Sequence, residues 1–161
     1  MKSNMVISSV FLVILNGFLP ASILKAQEMK NTIPVAAPLT FVRIFSDASG
    51  ESHFAEDQIE FDLADYAPPA APISISDVKS ADGVVFLSSP PGWQGDFHPA
   101  PRRQFIFMLA GELEVEVSDG ETRRFGPGAV ILAEDTAGRG HVSRVVGDTR
   151  SYVVAVPITV P

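Results

Sequence analysis

A chain of 161 residues, 46% hydrophobic and 19% charged, is long enough for one domain with a real core. Its formal charge of −7 argues against nucleic acid as a partner, because an acidic chain repels phosphate backbones. With no cysteine, disulfides, thiol catalysis and cysteine-ligated metals are excluded.

Residues 1–26 stand apart from the rest. Lys2 is the only early charge, Met5 to Leu19 is almost wholly apolar, and Pro20 and a short tail ending at Ala26 follow. This predicts a secretory signal cleaved near Ala26–Gln27, and with it a secreted or periplasmic protein free of the membrane after cleavage. An uncleaved anchor is the alternative, but an apolar run of about 15 residues is short for ~30 Å of hydrocarbon. Cleavage removes Lys2 and Lys25 and no acid, taking the formal charge from −7 to −9. Residues 27–39 are polar and then rich in Pro and Ala, which reads as a flexible lead-in.

The domain is expected over residues 40–161. Thr40 to Phe45 is a β-prone run, and Phe54 to Leu63 holds a second strand after the turn cluster at Ser46–Ser52. Eight of the 19 acids lie between Glu28 and Asp65, which describes a solvated face. Tyr66 to Ser76 carries Pro68, Pro69 and Pro72 and is neither helix nor central strand. Gly83 to Ser89 reads as a short buried strand, and Pro90 to Trp93 as a turn. Beyond it the pattern is regular. Arg103 to Leu109 is a strand. In Gly111 to Val117, Leu113, Val115 and Val117 share one face and Glu112, Glu114 and Glu116 the other. Asp119-Gly120 tips a hairpin, and Glu121 to Phe125 returns. Gly126 to Gly128 turns into Ala129 to Ala133. A glycine-rich loop leads to His141, and Val142 to Val146 and Ser151 to Val156 close the chain. Short strands with Gly and Pro turns, and no helix after residue 27, predict an all-β sandwich or barrel.

Residues 84–156 resemble the cupin superfamily, small jelly-roll β-barrels with a site inside. The first family motif runs H-x-H, three or four residues, E, six residues, G; His98, Ala100, Gln104 and Gly111 fall at those positions. The second begins with a P-G turn and ends in a histidine, and Pro127 to His141 is similar to it. The resemblance implies a jelly-roll cupin β-barrel, a small-molecule ligand or substrate, and a homodimer. A metal-binding cupin supplies three histidines and one glutamate. Here Ala100 stands in place of the second histidine, Gln104 in place of the glutamate, and Ala129 in place of an aspartate after the turn.

Two readings of the site follow. In the first, His98, Gln104 and His141 hold a divalent ion (Fe, Mn, Ni or Zn), with no organic cofactor, and the chain serves an oxygenase, isomerase or decarboxylase type of reaction. Gln104 brings only a neutral oxygen, so this ligand set has no negative charge. In the second, His98 and His141 are a metal-free acid–base pair of an isomerase or epimerase. There Arg102 or Arg103 holds a substrate carboxylate and Gln104 a hydrogen bond. A non-catalytic sugar- or metabolite-binding module uses the same pocket. Strand parity places His98, Ala100, Arg102 and Gln104 on one inward face. Ile106, Met108, Leu113 and Val115 are expected to line it. Glu134 and Asp135 are expected to cap a turn, with the alternative that one of them orients His141. Trp93 reads as a packing anchor at the rim and His53 as a surface histidine. The bias of seven arginines and no lysine between residues 102 and 150 fits ion pairing to the domain's own acids, or between subunits, better than a phosphate-binding surface.

Overall fold

The computed structural model describes residues 33–159, together with Pro20 and Ala21. Otherwise the expected signal, and the lead-in through Thr32, lie outside the described residues. Eleven strands follow in chain order among the described residues: β1 (Leu39–Ser46), β2 (Ser52–Ile59), β3 (Asp62–Ala64), β4 (Ile73–Ile75), β5 (Val85–Ser89), β6 (Gln104–Ala110), β7 (Glu112–Val117), β8 (Thr122–Phe125), β9 (Val130–Ala133), β10 (His141–Val146) and β11 (Ser151–Pro157). A six-stranded sheet is ordered β2-β1-β9-β6-β11-β5, and a three-stranded sheet β10-β7-β8 lies against it. Among the described residues the short β3 and β4 pair only with each other, so the proline-rich stretch adds no strand to either large sheet.

Alternation drives the packing of the two sheets. On β7, Val115 and Val117 are buried, while Glu112, Glu114 and Glu116 alternate with the apolar residues on the outward face. The inward set meets Ile44, Phe54, Met108, Phe125, Ile131 and Val153 in one apolar core between the sheets. The outward glutamates are held across the strands. Glu114 receives Arg124 Nε at 2.9 Å from β8 and Arg144 at 3.0 Å from β10, and Glu116 receives Arg144 at 2.6 Å. Arg103, Arg123 and Arg139 also pair with acids, as the arginine bias predicted; no such pair forms at Arg102 or Arg150 among the described residues.

Two expectations change. The Phe54–Leu63 run is two strands, because β2 ends at Ile59 and β3 starts at Asp62. The second concerns Gly83–Ser89, which is not a buried strand. β5 lies at the end of the large sheet, bonded among the described residues to β11 on one side only, and Phe86 is 76% exposed. An apolar run specifies burial only when the fold supplies a neighbour on both sides, and here it supplies one.

Candidate functional site

His98 and His141 reach each other through the backbone. Residues 95–103 form no regular strand, but His98 N donates to the His141 carbonyl and His141 N to the His98 carbonyl, each at 3.0 Å. Residues paired in this way project on the same face, and the two imidazole rings lie 5.0 Å apart, tilted by 48°. Gly140 permits the approach. Its φ is +73°, and a Cβ there would overlap the His98 carbonyl and the Pro99 nitrogen.

Each imidazole is oriented by its Nδ1. His98 Nδ1 donates to the Asp96 carbonyl at 2.8 Å, and His141 Nδ1 meets Asp135 Oδ2 at 2.7 Å. A carbonyl only accepts, so the His98 proton is on Nδ1; a carboxylate imposes the same tautomer on His141. Nε2 is thus the nitrogen that each ring offers. Asp135 is fully buried, and its second oxygen, Oδ1, has no hydrogen-bond partner among the described residues. Its carbonyl accepts from Ala100 N at 3.0 Å, which fastens the turn before β10 to the segment that carries His98. Asp135 therefore orients His141, the alternative to its capping role.

The pair opens into a cavity of about 170 Å³ between the sheets, with His98, Gln104, His141, Ser89 and Ser143 among walls that are otherwise largely apolar. Ile106, Leu113 and Val115 line it as expected; Met108 instead fills the core beneath. Trp93, expected as an anchor at the rim, is among the residues that line the cavity. Gln104 opens β6 and belongs to the same wall.

Arg102 does not join them. Parity holds only along a continuous strand, and the chain is irregular from Pro99 to Arg103, so Arg102 is exposed and absent from the cavity lining. Arg103 points elsewhere. Its Nε donates to Glu134 Oε1 at 2.6 Å, while Arg43 Nε donates to Glu134 Oε2 at 2.6 Å. Glu134 is thus an ion bridge between β1 and the start of β6.

One constellation outside the cavity was legible only as a lone surface histidine. His53 Nδ1 contacts Asp119 Oδ2 at 2.6 Å and its Nε2 contacts Asp47 Oδ2 at 3.2 Å. The Asp119 hydrogen bond, then the Asp47 one, raises its pKa above the ordinary 6.5. Asp47 is held well below the carboxylate range, first by the Ser49 hydroxyl, then by the Glu51 amide and His53. Asp119 is lowered mainly by the Glu121 amide. The clasp joins the β1–β2 turn to the β7–β8 turn. Asp119 sits 66 residues from His53, a separation that no local motif announces.

No protein-family model matches the chain, and no curated protein matches it. Solved structures do. A cupin domain from Bordetella pertussis is 19% identical, with a TM-score of 0.40 over 52% of this chain and 93% of that one. The cupin domain of Schizosaccharomyces pombe Cnp3 is 13% identical, with a TM-score of 0.36 over 76% and 85%. A conserved Streptococcus pyogenes protein of unknown function is 24% identical, with a TM-score of 0.38 over 53% and 72%. The chain is all-β among the described residues, with a six-stranded and a three-stranded sheet facing each other.

Proposed function

We propose that this chain is a cupin-type small-molecule-binding protein in which His98 and His141 move a proton on the bound ligand without a metal. The observation that carries the reading is the buried Asp135 behind His141, with His98 ring-to-ring beside it. A carboxylate on Nδ1 holds the imidazole in place and stabilises its charged form as Nε2 takes a proton. His98, anchored on the Asp96 carbonyl, is the second proton carrier. Gln104 donates or accepts one hydrogen bond to the ligand. The cavity of about 170 Å³ is smaller than the roughly 300–1,000 Å³ of drug-sized sites, so the ligand is a small metabolite.

The geometry favours one of the two acid–base reactions. Epimerisation by two bases places the reacting carbon between them, on opposite faces. Carbon contacts of about 3.5 Å on each side require roughly 7 Å between rings, whereas these rings are 5.0 Å apart and project from one wall. A proton shift between neighbouring carbons on one face, as in an aldose–ketose type of isomerisation, suits the pair.

A second reading has one observation in its favour. A histidine whose Nδ1 donates to a buried carboxylate is the usual support for a metal ligand. His98 Nε2, His141 Nε2 and the Gln104 oxygen would hold a divalent ion, which supplies Lewis-acid polarisation when bound. The donor set fits such an ion weakly. It has no anionic member, and no group of three His, Cys, Asp or Glu among the described residues is placed to hold a metal.

The test is deuterium exchange. The protein, stripped with a chelator, is incubated in D₂O with small hydroxy-aldehydes and hydroxy-ketones, and carbon-bound deuterium is followed by proton NMR. Exchange that survives the chelator and disappears in His98→Ala and His141→Ala is expected. Exchange that needs an added divalent ion establishes the metal reading. A compound that shifts the amides lining the cavity but never exchanges makes this a binding module. On the same footing, export directed by residues 1–26 is proposed, and the amino terminus of the mature protein tests it.

A further inference from the structure

The six-stranded sheet has a second face, turned away from the histidines. Neighbouring residues of a strand project to opposite faces. Gln104 on β6 therefore lines the histidine cavity, while Phe105 joins Phe41, Leu132 and Ile158 in a separate apolar cluster. Two hollows open on this second face, of about 390 Å³ and about 310 Å³, and Lys79, Arg103 and Ile158 line both. Each is larger than the cavity of about 170 Å³ beside the histidines, and each falls within the roughly 300–1,000 Å³ of small-molecule sites. The walls are tied together. Ile158 N donates to the Arg103 carbonyl at 3.0 Å and Thr159 N to the Ser80 carbonyl at 3.1 Å, which fastens the segment carrying Lys79 beside the end of β11.

In a chain whose formal charge is −7, three cations converge here: Arg43 and Arg103, which both line the smaller hollow, and Lys79. Glu134 accepts from Arg43 through one oxygen and from Arg103 through the other, each at 2.6 Å. One carboxylate between two guanidinium groups leaves one positive charge over. Lys79 is exposed and pairs with no acid among the described residues. Asp57, the acid that lines the smaller hollow, offsets one charge more, so a single positive charge remains. We propose that this face binds a monocarboxylate with a compact apolar body, an aromatic or branched aliphatic acid. Its carboxylate lies at Arg103 and Lys79, where the two hollows meet, because a guanidinium matches a carboxylate with two parallel hydrogen bonds. Its apolar body covers Ile158 and Val78, the latter 94% exposed. A single surplus charge selects against dianions, whose second charge would face Asp57 and Glu134. Glu134 already holds both guanidinium groups in place, so binding has little left to order.

Titration of the purified protein with benzoate at constant ionic strength, followed by amide NMR shifts, tests this. The expected result is saturable shifts at Lys79, Arg103 and Ile158, with none at His141 or Ser143 in the histidine cavity. Benzyl alcohol keeps the ring and lacks the charge, and should bind at least about tenfold more weakly. Arg103→Gln and Lys79→Glu should each weaken benzoate by about tenfold or more. Arg103→Gln also breaks the bond to Glu134, so its fold is checked by circular dichroism. Lys79→Glu lies at an exposed position and keeps the test decisive if that variant does not fold. A parent protein without saturable shifts overturns the proposal. Inorganic phosphate that binds as tightly as benzoate overturns the carboxylate class. Benzoate binding that survives both variants, or that shifts the cavity amides instead, overturns the site. His98→Ala and His141→Ala should leave benzoate binding intact, so this test is separate from that of the chemistry.

Discussion

Gly140→Ala probes how the histidine pair is held together. Two costs separate at this position. An alanine at φ +73° occupies left-handed backbone, worth about 1–2 kcal/mol. Its Cβ also overlaps the His98 carbonyl, and backbone rather than a flexible side chain must give way. Moving that backbone breaks the reciprocal hydrogen bonds of 3.0 Å between His98 and His141, at about 1 kcal/mol each. The expected total is about 3–4 kcal/mol. Gly120→Ala supplies the control, because Gly120 has φ +94° and open space around its missing Cβ. It carries only the conformational part, about 1–2 kcal/mol. Urea denaturation of both variants gives the difference, expected near 2 kcal/mol. Equal destabilisation of the two would refute the argument that Gly140 is required by the approach of His98. Ligand binding in the cavity should fall with Gly140→Ala and stay unchanged with Gly120→Ala.

Asp135→Asn removes a buried charge but keeps an oxygen that can accept from His141 Nδ1. Because Oδ1 of Asp135 has no partner, global stability should change by less than about 1 kcal/mol, while any proton-transfer activity drops at least tenfold; an active variant removes Asp135 from the mechanism. The His53 clasp is pH-sensitive. The folded pKa of His53 is raised, so its contribution is complete below the ordinary 6.5 and is lost as pH rises through the raised value. Asp47 and Asp119 are lowered, so theirs is present above 3.8 and is lost as pH falls. Melting temperature against pH should show both limbs, and in His53→Gln the alkaline limb should flatten; an unchanged profile rejects the clasp. Met108→Ala empties a position 2% exposed between the sheets and should cost about 2–5 kcal/mol in denaturant titration. A loss below 1 kcal/mol would mean that the core at β6 repacks freely.

Much of the architecture is written in local patterns. The alternation of β7 specifies its buried and charged faces, and Glu114 finds Arg124 because β7 and β8 are hairpin neighbours that share a register, whereas Arg144 arrives from the non-consecutive β10. The hairpin at Asp119-Gly120 and the turn at Gly126–Gly128 follow from the left-handed backbone that glycine allows. His98, Gln104 and His141 could be paired across 43 positions only because each sits at a fixed offset from a motif glycine or proline, and the cavity does bring them together.

What those patterns could not supply depends on backbone path and on neighbours distant in sequence. Parity aimed Arg102 inward, yet the irregular segment from Pro99 to Arg103 broke the two-residue period and turned it out to solvent. The same apolar spelling that suggested a buried strand at Gly83–Ser89 became an exposed edge, because strand order is a global property and β5 falls last. Glu134 and Asp135 are adjacent acids with opposite fates: one bridges Arg43 and Arg103 on one side of the sheet, the other lies buried behind His141. Composition and period determined that the chain is all-β and where its strands turn, since those choices rest on each residue's own sterics and hydropathy. Only the tertiary structure decided which carboxylate reaches the catalytic candidate and which edge is left open, since both depend on the order in which separated strands meet.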